Sequence, residues 1–63
     1  MVFIKIKDIY YDEEVLINIE QITWIQIKTN MIHFSNGKQI QTNASSMNKL
    51  SEVIGFNYSE VEI

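Results

Sequence analysis

Residues 22–42, ITWIQIKTNMIHFSNGKQIQT, decide the fold of this chain. Two turn signals separate three runs in which apolar residues alternate, the pattern of a three-stranded antiparallel meander. Successive side chains point to opposite faces of a sheet, so cross-strand partners must share a face. A two-residue turn at Thr29-Asn30 sets Ile27 opposite Ile32 and Ile25 opposite Phe34, with Asn30 tolerating the positive φ such a turn needs. At the second turn a two-residue Asn-Gly loop would oppose His33 to Ile40 and mix the faces. A three-residue loop, Ser35-Asn36-Gly37 with Gly37 left-handed, opposes Ile32 to Ile40 and keeps them consistent. The expected apolar face is Ile25, Ile27, Ile32, Phe34 and Ile40. The expected outer face is Trp24, Gln26, Lys28, Met31, His33, Gln39 and Gln41.

Outside this stretch the chain is short. Its 63 residues make one small domain spanning 1–63. At 46% apolar and 21% charged residues the composition is that of a globular protein. So short a chain buries a thin core, and domains below about 70–80 residues commonly rely on staples or oligomerisation. With no cysteine and one histidine, neither a disulfide nor a structural zinc site is expected. Self-association is then the remaining way to bury more surface. The net charge of −3, with every positive side chain a lysine, speaks against a nucleic-acid partner, because phosphate binding draws on clustered Lys and Arg. No apolar run approaches the ~20 residues that span a bilayer, and the charged, alternating start MVFIKIKDIYY does not read as a signal peptide, so a cytoplasmic protein is expected.

Upstream of the meander, Val2, Ile4 and Ile6 alternate with Phe3, Lys5 and Lys7 as in a half-buried strand. Residues 8–11 extend it, Asp12-Glu13-Glu14 supplies a turn, and Val15, Ile17 and Ile19 start a second strand. The period breaks between Ile19 and Thr23, where a bend or single helical turn absorbs the shift. After Thr42 the period becomes helical. Asn43, Ser45 and Ser46 offer capping side chains, Met47, Leu50 and Ile54 with Val53 form an apolar stripe, and Gly55 suits a left-handed end. The helix is expected to cover the apolar face of the meander. Residues 57–63 read as a frayed tail or a short edge strand. The fold class is therefore α+β, an antiparallel sheet of four to five strands with one C-terminal helix on one face.

The order strand, I-x-x-I, Ser-Asn-Gly-Lys hairpin, strand and capped helix runs through VLINIEQITWIQIKTNMIHFSNGKQIQTNASSMNKLSEVIG, residues 15–55. In this it resembles the small bacterial flagellar FlbD/SwrD-like family over roughly two thirds of the chain. That resemblance implies a bacterial accessory or regulatory protein. The strand-strand-strand-helix order is also similar to the last part of LytTR DNA-binding domains, although those are longer and basic.

Candidate functional residues follow from the expected faces. Trp24 sits on the outer face beside Met31 and His33, and tryptophan is enriched at binding hot spots. His33 has only glutamines as sheet neighbours, which supply neither the carboxylate nor the nucleophile of a catalytic site. Tyr10 and Tyr11 are aromatic side chains with a polar tip, suited to an interface. Asp8, Asp12, Glu13 and Glu14 form an acidic cluster without the spacing or central glycine of a calcium loop, so it reads as a solvated turn or an acidic contact for a basic partner. No nucleophile elbow, phosphate-cradling loop or metal motif is present, so neither an enzyme nor a cofactor is expected. The expectation is a non-catalytic protein-binding or adaptor module that self-associates through a sheet face or edge. Its partner residues would be Trp24, Met31, His33, Tyr10, Tyr11, Asp12, Glu13 and Glu14. The alternatives are a phage-encoded acidic inhibitor of a host protein and a LytTR-like nucleic-acid binder.

Overall fold

The computed structural model describes residues 2–56 and residue 58. Five strands, a 3-10 turn and a helix follow one another: β1 (Phe3–Asp8), β2 (Glu13–Asn18), the 3-10 turn (Ile19–Gln21), β3 (Ile22–Gln26), β4 (Met31–Phe34), β5 (Gln39–Gln41) and α1 (Ala44–Ile54). The class is α+β. The strands divide between two antiparallel sheets, β1-β2 and β3-β4-β5. The 3-10 turn falls where the apolar period shifts, with the Asn18 side chain accepting from Glu20 N–H to cap it. The Ile9 amide donates to the Gln41 carbonyl (3.0 Å) and so ties the tip of the first hairpin to β5.

The meander keeps its expected faces and changes one register. Ile32 stands opposite Ile40, and Gly37 is left-handed at φ 89°, as the three-residue loop requires. The β3–β4 connection is not the two-residue turn at Thr29-Asn30. Gln26 pairs with Met31, Ile25 with Ile32 and Trp24 with His33, so the loop is residues 27–30. The reason is local. Both primed two-residue turns need positive φ at their first central position, and β-branched Thr29 does not take it, Asn30 alone being left-handed (φ 61°). Ile27 and Lys28 leave the strand, and Phe34 meets Ile22 across a bulge at Thr23. The slip is by two residues, so inward and outward sets keep their identity.

The first hairpin corrects a second expectation. Its turn is residues 9–12, and Glu13 and Glu14 belong to β2 opposite Asp8 and Lys7. Asp8 ends the strand because its carboxylate accepts from the amides of Tyr10 (3.0 Å) and Tyr11 (3.4 Å). Asp12 then takes φ 57°. Ile9-Tyr10-Tyr11-Asp12 and Ile27-Lys28-Thr29-Asn30 are thus the same device, four residues closed by a left-handed Asp or Asn.

The helix starts at Asn43, whose side chain accepts from Ser46 N–H (2.8 Å), and ends at Gly55, left-handed at φ 96°. Asn43 is the cap; Ser46 instead turns inward and its Oγ accepts from the Lys7 amide (3.0 Å). The helix therefore sits beside β1 as well as under the meander. The buried core is Ile4, Ile6 and Ile17 from the first hairpin, Ile32 from the meander, and Met47 and Leu50 from the helix. Each such side chain stabilises the fold by roughly 1.5–3 kcal/mol through area removed from water. Val53 and Ile54, expected on the buried stripe, are exposed, because Ser46 and Ser51 turn inward with Met47 and Leu50. Phe56 and Tyr58 pack against the core, and the Tyr58 hydroxyl donates to Asn30 Oδ1 (2.6 Å). Apart from Tyr58, the expectation of a frayed tail or edge strand at residues 57–63 lies outside the described residues.

Candidate interaction surface

The meander builds its outer face by simple alternation. Trp24 of β3 and His33 of β4 are a directly opposed pair, and their rings lie flat on one another with centroids 3.8 Å apart and planes 1° from parallel. Next along the strands, Gln26 opposes Met31 and Met31 opposes Gln41. Gln26 Oε1 lies 2.8 Å from His33 Nε2, which fixes the imidazole in the stacking plane. Trp24 nevertheless stays 55% exposed. Its ring is held in one orientation by a neighbour and still presents a free face to solvent. Ordering such a side chain on binding costs little, since it is already ordered.

Two further expected residues meet Met31 from the other hairpin. Tyr10 and Tyr11 sit at the tip of β1–β2 and contact each other edge to face (centroids 4.7 Å, 88°). With Asp8, Met31, Gln39 and Gln41 they border an open hollow of about 300 Å³. Both tyrosines are mostly exposed. The tie from Ile9 to Gln41 is what brings them to the meander. Aromatic faces, a thioether and amide groups in one hollow suit a peptide segment better than a charged metabolite.

Asp12, Glu13 and Glu14 do not join this surface. Asp12 pairs with Lys7 (3.0 Å) and Glu14 with Lys5 (3.6 Å) on the first hairpin. The hydrogen bond that the Lys7 ammonium donates to Asp12, then the Asp12 charge, hold that ammonium above its ordinary pKa. Two of the four acids seen in the sequence are thus matched by lysines of the adjoining strand β1, and exposed pairs of this kind contribute little to stability.

One feature lay outside the sequence reading. The outer edge of β3 opens onto a groove of about 510 Å³ that includes Ile19, Ile22, Trp24, Ile25, Val53 and Ile54. Among the described residues β3 has β4 as its one strand neighbour. The signal available in the sequence was the odd apolar pair Val53-Ile54, too many for a single helical stripe.

In searches of protein-family models, curated proteins and solved structures, nothing matched this chain.

Proposed function

We propose that this chain is a non-catalytic protein-binding module that self-associates and meets a protein partner through the outer face of its meander. The observation that carries this reading is the Trp24–His33 stack: a large aromatic surface, pre-ordered and 55% exposed, on a molecule whose own core is thin. Met31, Tyr10 and Tyr11 extend it toward the first hairpin. The resemblance to the FlbD/SwrD-like family supports an accessory or regulatory role in a bacterium, with a flagellar component as the partner.

Sedimentation velocity over a hundredfold range of concentration tests self-association, with Trp24→Ala beside the unaltered chain. The expected result is an oligomer that dissociates on dilution and is absent in the variant. A monomer at every concentration would remove the reading. A pulldown with flagellar components tests the named role. A phage-type inhibitor is the second reading, supported by the exposed Asp12 and Glu14 carboxylates at the hairpin tip; a host defence or nucleic-acid enzyme in the same pulldown selects it. Retardation of DNA at low salt would instead favour a nucleic-acid binder.

A further inference from the structure

Along β1 every second side chain turns into the molecule: Ile4, Ile6 and then Asp8, which is 8% exposed. A carboxylate thus holds a position that the strand otherwise fills with isoleucine. The turn uses half of it, since Oδ1 accepts from the Tyr10 and Tyr11 amides. The other oxygen, Oδ2, has no partner among the described residues. It is not sealed off either, because Thr42 Oγ1 is the one side-chain atom among them that is both shut from solvent and unbonded. Among the same residues no cation pairs with Asp8: Lys5 and Lys7 are taken by Glu14 and Asp12, and Lys49 donates to the Lys5 carbonyl. A buried charge is costly until an opposite charge meets it.

Asp8 borders two hollows that share Tyr11, Gln39 and Ile40 as walls. One of them carries Lys38 on its rim, which disfavours a cation there. The other, of about 300 Å³, has no basic residue in its lining and adds Tyr10, Met31 and Gln41. Its two tyrosine rings stand at 88° to one another and are mostly exposed. A cation is attracted to the face of such a ring. Gln41 commits Nε2 to the Thr29 carbonyl, which leaves Oε1 as its acceptor. A guanidinium suits this set. It is planar, stacks on aromatic faces, spreads five N–H donors over several acceptors and is weakly hydrated. An ammonium is a compact, strongly hydrated point charge that uses fewer of these groups. All five basic residues of the chain are lysines, so a second copy offers no guanidinium.

We propose that the hollow between Asp8, Tyr10 and Tyr11 seats an arginine side chain of a protein partner, which rests on the reading of this face as a protein-binding surface and names what one end of it takes. The Asp8 carboxylate pairs with the guanidinium, and the tyrosine rings cover its plane.

The test is a nuclear magnetic resonance titration of the unaltered chain, diluted until monomeric, with the capped peptide Gly-Arg-Gly. Beside it run Gly-citrulline-Gly, which keeps the shape without the charge, and Gly-Lys-Gly. The same titrations follow on Asp8→Asn, which keeps the turn's acceptor and removes the charge, and on Tyr10→Ala. Resonances of the fully buried Ile32 side chain report whether each variant stays folded. The expected result is saturable shifts at Tyr10, Tyr11 and Met31 with the arginine peptide. Binding should weaken about tenfold or more with the citrulline peptide and in Asp8→Asn, and less in Tyr10→Ala. Absence of those shifts would overturn the proposal. So would equal affinity for the citrulline or lysine peptide, or unchanged binding in a folded Asp8→Asn. The three peptides on the unaltered chain decide the matter even where a variant unfolds. Failure here shows at these three residues in single protomers, whereas failure of the protein-binding reading shows in sedimentation, where the unaltered chain would stay monomeric at every concentration.

Discussion

The two sheets differ in what they give the molecule. The first hairpin pairs six residues against six without a break and supplies half of the buried core, Ile4, Ile6 and Ile17. The meander is longer in sequence, carries a bulge at Thr23, and supplies one fully buried side chain, Ile32. Its other inward residues, Ile22, Ile25, Phe34 and Ile40, are only half-buried. The hairpin has Lys5 and Lys7 on its outside, paired with Glu14 and Asp12. The meander has Trp24, His33, Met31 and three glutamines. More of the buried core comes from one sheet and the exposed Trp24–His33 stack from the other, with the helix contributing Met47 and Leu50 to the core.

The sharpest way to break this contrast is to remove volume from each sheet in turn. Ile6→Ala, at a position 2% exposed, should cost about 3 kcal/mol by urea unfolding, whereas Ile40→Ala, only half-buried, should cost about 1 kcal/mol. Equal losses would mean that the core is shared evenly. Asp8→Ala comes next. It strips the acceptor from two turn amides at a buried carboxylate, and a loss of about 2 kcal/mol in thermal or chemical melts is expected. At the meander's second turn Gly37→Ala adds no clash, since nothing lies within 4 Å of the new methyl. The left-handed backbone alone should therefore cost about 1–2 kcal/mol.

The smallest effect belongs to the ion pairs of the first hairpin. Lys7 is held above its ordinary pKa of 10.5 by Asp12. A raised value in the folded state means that the pair favours folding below about pH 10.5, and that this contribution fades as pH climbs through the folded value. Stability should thus fall slightly more steeply above pH 10.5 in the unaltered chain than in Lys7→Met, which lacks the titrating group. Parallel alkaline unfolding curves would show that the pair contributes nothing.

Much of this was legible in the alternation of side chains. Facing sets in the meander survive because period 2 is insensitive to a slip of two residues. Gly37 and Gly55 mark their turn and cap because their backbone angles disfavour any other residue. Turn lengths were harder to read. Ile9 and Ile27 have the apolar, branched character of strand residues, yet each opens a turn because the Asp or Asn three positions on accepts the left-handed region. The division into two sheets was not legible at all, since it depends on how far β3 swings away after the 3-10 turn. At the site, alternation put Trp24 and His33 on one face, but the expected register gave His33 only glutamines as neighbours; the two-residue slip is what sets it opposite Trp24. The approach of Tyr10 and Tyr11 to Met31 required the Ile9–Gln41 bond, a contact between distant residues that no local pattern announces.

Every strand ladder among the described residues joins neighbours in sequence, β1 to β2, β3 to β4 and β4 to β5. The loops to be closed are four, four and four residues or fewer, so little chain entropy is spent before the first bonds form. Such a molecule should fold in milliseconds or less, because each of its two sheets is built from strands adjacent in sequence.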